Sequence, residues 1–443
     1  MQKKKPAPIH TRTLAMTIRK GHPFFASADR VTKCYRRIKN ATNYLIQHNP
    51  VDDSKLMTHG EADKWLKAHN RELYTRMPSS FSQRATQIVG AEWANYLAAI
   101  KAYKIKPESF ERKPRKPGYA RGATTAYISV NGFRIENGTV HFLKGFLTPF
   151  KTPFSFSQDF NHKAASKIVS EIRIVPLGNS YNVELIYDES KLAKEGDYCP
   201  LLDKNRKAGI DLGINNLIAF ASDQPDVRPV LINGRPIKSI NAYYNKRVAE
   251  LRSLKKYKHL SAVSAKRNRA IKDYIHRATT HIVRYCIENN IGFLAVGKNK
   301  QWKKNINIGS VNNQKFVQIS HAMLIDILIY KCRSAGITTA IQEESYTSKA
   351  SALDNDVIPE YKADNNVVPI FSGRRVKRGL YQFTEGVINA DINGALNILR
   401  KATGESLSGE LVCRGLVYCP VQLNVSRHTV RTRSPRTILP LAA

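Results

Sequence analysis

The chain has 443 residues, enough for about two or three domains, and its 42% hydrophobic content is sufficient for real cores. Lysine and arginine number 71 against 35 acidic residues, giving a formal net charge of +36. So large an excess predicts a polyanionic partner, with nucleic acid favoured over a membrane surface. No apolar run approaches the ~20 residues of a membrane span. Residues 1–6 lack the apolar stretch of a secretory signal, so we expect a soluble, intracellular protein.

Cysteine usage indicates neither a disulfide framework nor a zinc site. None of the six cysteines forms a CxxC pair, and we expect buried free thiols in a reducing compartment. Cys413 and Cys419 are not at zinc-knuckle spacing. The six are Cys34, Cys199, Cys286, Cys332, Cys413 and Cys419.

The N-terminal part predicts one strand followed by helices. Residues 11–19 alternate for part of their length, which is typical of a strand. Ser27 is a candidate cap for a helix whose apolar positions repeat with a period of 3.6 residues as far as Leu45. A second helix is predicted over about 80–104, with Trp93 in the core.

Two groups of basic residues in this part are candidate phosphate contacts. Arg36 and Arg37 lie off the apolar stripe of the first helix. Residues 111–119 contain two prolines and four cations, which predicts an extended basic connector rather than a helix. Its cations are Arg112, Lys113, Arg115 and Lys116.

Strands are predicted after the connector. Residues 133–136 and 139–143 flank Asn137-Gly138, a strong hairpin signal. Residues 168–175 and 181–187 give a second pair of strands.

From Lys207 the pattern becomes β-β-β-α-β-α-β-α, the order of an RNase H-like mixed sheet packed by helices. The predicted strands are about 207–212, 216–222, 228–233, 292–296 and 337–343, and the helices about 238–290, 312–335 and 391–401.

The long helical region predicted at 238–290 is strongly basic. Between Lys246 and Arg277 it has 11 lysines and arginines and two acids, so its cationic side is expected to face nucleic acid. The candidate contacts are Lys255, Lys256, Arg267 and Arg269, and the predicted buried stripe is Tyr243, Tyr244, Val248, Leu251 and Leu254. The basic tail, residues 413–436, is expected to be mobile and to bind RNA nonspecifically.

Acids interrupt three apolar stretches in the C-terminal half. Asp211 lies within Ala-Gly-Ile-Asp-Leu-Gly, where an acid is costly to bury without a cation, so we identify it as a metal ligand. Asp391 falls in the first turn of a helix, where an acid is most often only a cap. Glu343 and Glu344 follow a short apolar run, and paired acids there are commonly surface charges.

The three segments together resemble the RuvC-like nuclease half of the TnpB (OrfB) proteins, transposon-encoded RNA-guided DNA endonucleases related to type V CRISPR effectors. They read GIDLGINNLIAFAS, EESYTSKAS and INADINGALNIL, in that order. The resemblance is firm over about 205–402. It implies an α/β RNase H-like (RuvC) nuclease domain and an N-terminal β-barrel, the wedge, with an inserted helical recognition lobe. Wedge and lobe would hold the guide RNA and recognise a short flanking DNA motif.

The resemblance also implies domain boundaries. These are 1–25 and 120–200 for the wedge, 26–119 for the recognition insertion with its basic connector, 205–348 and 389–403 for the nuclease, 349–388 for a zinc-ribbon-like insertion and 404–443 for the basic tail.

Phosphodiester hydrolysis in such a fold needs carboxylates that converge on two divalent ions, Mg²⁺ or Mn²⁺. The resemblance to the family's DxNAA motif makes Asp391 a ligand, with Gly394 in place of an alanine. The family's middle glutamate should follow strand 292–296, but Gly297 or Lys298 stands there. In one explanation the acid has moved to Glu344, with Glu343 as the fallback, and Gly297 leaves room for it. In the other, the enzyme is inactive.

Glu344 is favoured over Glu343 because in TnpB-like variants the acid precedes the tyrosine by two positions. The insertion departs from the family as well. Residues 349–388 contain neither cysteine nor histidine, so zinc is not expected. Residues 367–371 and 379–383 predict a metal-free hairpin with a basic loop that includes Arg374 and Arg375.

The expected function is therefore RNA-guided, Mg²⁺-dependent cleavage of DNA in the cytoplasm of a prokaryote, associated with the nucleoid. The expected partners are a guide RNA from the transposon end and double-stranded target DNA, with no membrane. Two alternatives stay open: a cleavage-inactive RNA-guided repressor, and an unguided RNase H-like nuclease or transposase. The sequence leaves the oligomeric state, guide, flanking motif and cut positions undetermined.

Overall fold

The computed structural model describes residues 11–152, 154–155, 168–188, 201–298, 321–359, 369–413, 415–425 and 436–437. The chain forms two compact units, Met1–Asp197 with Arg433–Leu439 and Tyr198–Thr432 with Pro440–Ala443. Among the described residues, no helix combines the length and the apolar character that crossing a membrane requires.

The first unit combines a helical insertion with two antiparallel sheets. The helices are α1 (Phe25–Gln47), α2 (His59–His69), α3 (Arg71–Tyr74) and α4 (Ser79–Ile105). The strands are β1 (Thr11–Arg19), β2 (Ala126–Ser129), β3 (Phe133–Glu136), β4 (Thr139–Phe142), β5 (Phe150–Lys151), β6 (Phe154–Ser155), β7 (Val169–Leu177) and β8 (Ser180–Asp188). One sheet has the order β1-β8-β7-β2 and another β3-β4-β5.

Local sequence explains most of this unit. The predicted hairpin is confirmed, since Asn137 and Gly138 both adopt left-handed backbone conformations (φ 49° and 71°), as a two-residue turn between twisted strands requires. The predicted cap at Ser27 is wrong. Helix α1 begins at Phe25, and the Ser27 hydroxyl instead bonds the hydroxyl of Thr148, 3.0 Å away. Trp93 is buried as predicted and donates to Asn43.

The second unit is built on a six-stranded mixed sheet. Its helices are α5 (Arg235–Ser253), α6 (Leu260–Glu288), α7 (His321–Ser334), α8 (Ala390–Thr403) and α9 (Glu410–Cys413). Its strands are β9 (Asp203–Asp211), β10 (Asn216–Ser222), β11 (Val230–Asn233), β12 (Ile291–Gly297), β13 (Thr338–Gln342), β14 (Arg374–Lys377), β15 (Leu380–Phe383), β16 (Gly386–Asn389) and β17 (Val421–Leu423).

The sheet order is β13-β12-β9-β10-β11-β17. Strands β9, β10 and β11 pair antiparallel, whereas β12 and β13 run parallel to β9. Successive residues of a strand face opposite sides. In β10, Ile218 and Phe220 therefore join the core with α6 and α7, and the smaller Ala219 and Ala221 face α8.

Helix α8 lies unusually close to the sheet. It is buried along most of its length, including Asn393, Asn397 and Arg400. A Cβ placed at Gly209 of β9 would clash with the backbone carbonyl of Ala395. Glycine at this position therefore sets the distance between helix and central strand.

Two predictions about surfaces are wrong. Tyr243 and Leu254 of α5 were expected to be buried, but they are 61% and 53% exposed, and the buried side of α5 carries Ile237, Asn241 and Leu251. The basic tail was expected to be mobile, yet β17 extends the sheet by pairing in parallel with β11.

Side-chain bonds fasten the segment after β17 as well. Arg277 of α6 donates to the Val425 carbonyl at 2.7 Å, and Asn233 donates to Asn424 at 2.6 Å. Arg436–Thr437 (β18), which belongs to the first unit, pairs in parallel with β6 of the same unit.

The insertion before α8 forms a three-stranded sheet, β14-β15-β16, rather than the predicted two-stranded hairpin. Strand β15 matches the second predicted strand. Its partner is Arg374–Lys377 instead of 367–371, of which 367 and 368 lie outside the described residues.

The close approach at Gly209 generates a stability prediction. Gly209→Ala forces α8 away from β9, because the obstructing atom is a backbone oxygen and not a flexible side chain. We expect the free energy of unfolding, measured by urea denaturation, to fall by about 1–3 kcal/mol or more. Gly409→Ala, in the same unit but with open space around its Cβ, is the matched control and should change little.

Candidate active site

The three predicted acids lie at one edge of the mixed sheet. Asp211 is the last residue of β9, and Gly297 is the last residue of the neighbouring parallel strand β12. Gly297 is paired with Gln342, the end of β13, and Glu344 comes two residues later. Because parallel strands end at the same edge, the sheet brings Asp211 and Glu344 towards a common place.

Asp391 reaches this edge from the first turn of α8. The helix is capped by Asn389, whose side-chain oxygen accepts from the backbone N–H groups of Asp391 and Ile392 at 2.9 and 3.3 Å. One carboxylate oxygen of Asp391 accepts from Asn216 at 2.7 Å. The other lies 3.7 Å from the guanidinium of Arg375, on β14.

Asp211 is the most perturbed carboxyl of the site. Although the residue keeps some solvent exposure, burial of its carboxyl and then the charge of Asp391 raise the pKa of Asp211 to about 7, against opposing effects of the Leu212 N–H and Arg375. Two carboxylates so arranged repel each other, and a bound cation relieves both the repulsion and the desolvation.

Glycines make room for both strand-end acids. A Cβ at Gly394 would lie 3.0 Å from Oδ2 of Asp211, so the family's alanine would crowd this carboxylate. A Cβ at Gly297 would collide with Oε1 of Glu344. Glu344 therefore lies directly over the end of β12.

Glu343 points elsewhere. It accepts from Lys401 of α8 at 2.6 Å and from the Ser345 N–H at 2.7 Å. Burial acts to raise the pKa of Glu343, but these hydrogen bonds outweigh it and the pKa is lowered. The carboxylate is thus already satisfied by protein donors.

The donor set fits a hard divalent cation. Every candidate ligand is a carboxylate oxygen, which Mg²⁺ and Mn²⁺ prefer, and there is no thiolate or imidazole among them. Within the described ranges, no group of three or more His, Cys, Asp or Glu side chains is already drawn together as a complete metal cluster. Asp211 and Asp391 are the pair that the structure brings together, and Glu344 lies at the neighbouring strand end.

Residues 347–356 are held by the polar face of α8. Asn393 and Asn397 both donate to the Ala350 carbonyl, at 2.8 and 2.7 Å, and Asn397 also donates to Thr347. Asn393 in turn accepts from the Ala352 N–H at 2.9 Å. These amides fix the backbone that follows Glu344.

Carboxylates also fasten the insertion to this backbone. Asp354 accepts from the hydroxyls of Ser351 and Ser372 at 2.6 and 2.9 Å, and from the Thr384 N–H at 3.1 Å. Asp356 accepts from the Ser351 N–H at 2.7 Å and the Ser372 N–H at 3.2 Å. We call these two acids the carboxylate clasp. It links the loop before the insertion to β15 and its neighbours.

The predicted nucleic-acid contacts are spread over several surfaces. Most are exposed, namely Arg37, Arg112, Lys113, Arg115, Lys116, Lys255, Lys256, Arg374 and Arg375, while Arg36, Arg267 and Arg269 are half-buried. Arg267 bonds Asn241 at 2.7 Å and lies over the ring of Tyr244, so it ties α5 to α6. The basic connector ends in two hydrogen bonds between Asn40 of α1 and the backbone of Ala120.

Sequence reasoning missed two residues that contact Asp391. Asn216 begins β10, and only the register of the β9–β10 hairpin brings it to the acid. Arg375 was assigned to nucleic acid because of its charge, and nothing in its local sequence indicates that β14 carries it to Asp391.

Two family models match the second half of the chain. Residues 191–303 match OrfB_IS605, described as a probable transposase, and residues 321–398 match the Cas12f1-like TNB domain. The predicted resemblance to TnpB proteins and Cas12-type effectors is thereby confirmed. No curated protein shows significant sequence similarity to the chain.

Solved structures give weaker matches. A cryo-EM structure of a Cas12f1-sgRNA-target DNA complex is 15% identical, with 88% of this chain and 99% of that chain covered and a TM-score of 0.34. Alicyclobacillus acidoterrestris C2c1 in complex with single-guide RNA is 9% identical, with 86% and 66% covered and a TM-score of 0.35. These TM-scores are too low to indicate a shared overall fold.

The carboxylate clasp generates a pH prediction. Burial acts to raise the pKa of Asp354, but its hydrogen bonds from Ser351, Ser372 and Thr384 lower it. A folded-state pKa below the unfolded value stabilises the fold above that unfolded value, near pH 4, and the stabilisation is lost as the pH falls through the folded pKa.

We therefore expect Asp354→Ala to cost about 1–3 kcal/mol at neutral pH and progressively less below about pH 4, followed by chemical unfolding. Trypsin should cut within the exposed Arg374–Lys377 strand faster in the variant. Glu385→Ala, an exposed acid in the same sheet, is the control. Equal loss of stability at acidic and neutral pH would contradict a role for the ionised carboxylate.

Proposed function

We propose that this chain is an RNA-guided DNA endonuclease of the TnpB type that hydrolyses target DNA with Mg²⁺ or Mn²⁺ held by carboxylates. The observation that carries the proposal is the pairing of Asp211 and Asp391 at the end of a central strand, within segments that match OrfB_IS605 and the Cas12f1-like TNB domain. The raised pKa of Asp211 supports a site that is completed by a cation.

The proposed domains follow from the resemblance. The mixed sheet with α5–α8 is taken as an RNase H-like (RuvC) nuclease domain, 205–348 and 389–403. The antiparallel sheets of 1–25 and 120–200 are taken as a wedge barrel, and 26–119 as a recognition lobe. The two compact units support a division near residue 200. Residues 349–388 are taken as a zinc-free counterpart of the family's ribbon, and 404–443 as an additional basic segment.

In this proposal Asp211, Glu344 and Asp391 hold the ions. The chemistry that two divalent ions supply when bound is the activation of a water molecule and the stabilisation of the leaving oxygen. Asn216 and the cap at Asn389 orient Asp391. The bonds of Glu343 to Lys401 and Ser345 support Glu344 as the third ligand, with Glu343 as the fallback.

A guide RNA from the transposon end would select the target by base pairing, while the protein contacts backbone and a short flanking motif. The net charge of +36 supports binding of both RNA and double-stranded DNA. We place the activity in the prokaryotic cytoplasm, at the nucleoid.

A cleavage-inactive, guided DNA-binding protein is the second candidate. It is favoured by the contact of Arg375 with Asp391, which puts a protein cation beside a proposed metal ligand, and by the incomplete metal cluster in the described residues. Binding without cutting would identify it.

The test is Mg²⁺-dependent cleavage of a plasmid library with randomised flanks by the protein purified with its RNA. Glu344→Gln and Asp391→Asn should each cut at least ~100-fold more slowly than the wild type, since losing a ligand carboxylate removes several kcal/mol of transition-state stabilisation. Glu343→Gln is the matched control and should cut at nearly the wild-type rate.

Loss of cutting in Glu343→Gln with full activity in Glu344→Gln would exchange the two assignments. Guided binding by the wild type without any cutting would refute the nuclease proposal and leave the DNA-binding candidate.

Gly297→Ala tests the position of the Glu344 carboxylate without removing the carboxylate itself. The new methyl group meets the ends of two flexible side chains, Glu344 and Ile398, so the fold should adjust while the carboxylate is displaced. We expect Mn²⁺ affinity, measured by calorimetry, to fall at least ~10-fold, with the same thermal midpoint to within a few degrees. Gly409→Ala is again the control. Unchanged Mn²⁺ affinity would contradict Glu344 as a ligand.

A further inference from the structure

One surface of the helical pair α5–α6 exposes two tyrosines and a leucine. Tyr243 and Tyr257 are 61% and 62% exposed, and Leu254 is 53% exposed. Leu254, the residue that caps the C-terminal end of α5, is eleven residues after Tyr243, about three helical turns, so the two lie on one side of the helix. Tyr257 follows in the turn that leads into α6. We call these three side chains with the adjoining lysines the tyrosine face.

The neighbouring tyrosine shows that this exposure is not a general property of α5. The Tyr244 hydroxyl hydrogen bonds that of Ser264 at 3.1 Å, and the Arg267 guanidinium lies 5.1 Å from its ring centroid. Tyr244 therefore joins α5 to α6, whereas Tyr243 presents its ring to solvent.

The charge around the tyrosine face is strongly positive. From Tyr243 to Tyr257 the sequence has one acid, Glu250, which is ion-paired with Arg247. The same stretch contains five cations, Lys246, Arg247, Arg252, Lys255 and Lys256. Lys255 adopts a left-handed backbone conformation (φ 54°) in the turn, beside the exposed Leu254 and Lys256.

We propose that the tyrosine face binds single-stranded DNA, with bases stacked on Tyr243 and Tyr257 and phosphates at Lys255 and Lys256. Exposed aromatic rings among cations are the combination that holds unpaired strands without sequence preference, because every base has a π-face. Duplex DNA keeps the faces of its bases stacked inside, so it offers these rings no base to stack on. A second copy of the chain is disfavoured as the occupant, since two molecules of charge +36 repel.

The identity of the strand rests on the proposed function. Pairing of a guide with one strand of a target leaves the other strand unpaired, which supplies single-stranded DNA next to the nuclease domain. The binding itself needs neither guide nor cleavage, so it can be tested separately.

The experiment compares two oligonucleotides of equal length and charge, an oligo(dT) and its abasic counterpart, by fluorescence anisotropy with the full chain. The double variant Tyr243→Ala/Tyr257→Ala should bind oligo(dT) at least about tenfold more weakly, with unchanged affinity for the abasic strand. Tyr243→Phe/Tyr257→Phe should bind as the wild type does, because the rings are retained. Tyr330→Ala, a tyrosine of α7 that is 38% exposed, is the matched control.

Lys255→Gln/Lys256→Gln should weaken binding of both oligonucleotides. It should also reduce the slope of log K against log salt concentration by about 0.7 per lysine. Oligo(dT) carrying 5-iododeoxyuridine should photocrosslink to peptides that contain Tyr243 or Tyr257. The cleavage-deficient Asp391→Asn variant should bind oligo(dT) and form the same crosslinks as the wild type. The test of the tyrosine face is therefore independent of the nuclease proposal.

Equal losses on oligo(dT) and the abasic strand would overturn the proposal, as would crosslinks that map elsewhere. If the Tyr243→Ala/Tyr257→Ala variant lost binding to oligo(U) but not to oligo(dT), the surface would be assigned to RNA. If the same variant lost binding to phosphatidylserine vesicles but to neither oligonucleotide, the surface would be assigned to a membrane. Either result excludes single-stranded DNA as the occupant.

Discussion

The structure of the second unit depends on placing two negative charges at the end of one central strand. Asp211 is costly to ionise where it lies, because its carboxyl is buried and Asp391 is close by. The neighbouring glycines provide space for the carboxylates, and Arg375 is a cation beside Asp391. Gly394 leaves the carboxylate uncrowded, and Gly297 lets Glu344 lie over the next strand end. Burial and mutual repulsion make ionisation of both carboxyls unfavourable, and a bound cation, as proposed above, would relieve both effects.

Helix α8 connects the acids at the strand ends with the insertion. Its first turn presents Asp391, while its buried amides hold the backbone from Thr347 to Ala352. The carboxylate clasp links that backbone to the three-stranded sheet. Strand β14 of this sheet carries Arg375, whose guanidinium lies beside Asp391. Short polar links, made by oxygen acceptors with backbone and hydroxyl donors, thus cross-link the insertion to the backbone held by α8.

Most of the fold could be predicted from the sequence, because strong local signals agreed with the final packing. The Asn137-Gly138 turn and the apolar strand that ends at Asp211 are examples. Tyr243 was misplaced because helical periodicity leaves an amphipathic ring free to lie on either side, and Asn241 occupies the buried stripe instead.

For the proposed site, the sequence predicted the three acids but not the residues that contact them. Arg375 and Asn216 approach Asp391 through strand pairing between distant segments, for which no local pattern exists. The preference for Glu344 over Glu343 rested on resemblance, and the structure adds the physical reason, which is the commitment of Glu343 to Lys401. The outer strand β17 escaped prediction because its three residues, Val421–Leu423, are too few to show a hydrophobic pattern.

The parallel pairing of β17 with β11 has a consequence for how the molecule is made. The two strands are separated by nearly half of the chain, so the sheet acquires its outer strand only after almost everything else has been synthesised. Until then β11 presents an unpaired backbone edge, a template for association with other chains. A nascent chain therefore passes through a long interval in which this edge is open, and electrostatic repulsion between strongly positive copies of the chain opposes their association during that time.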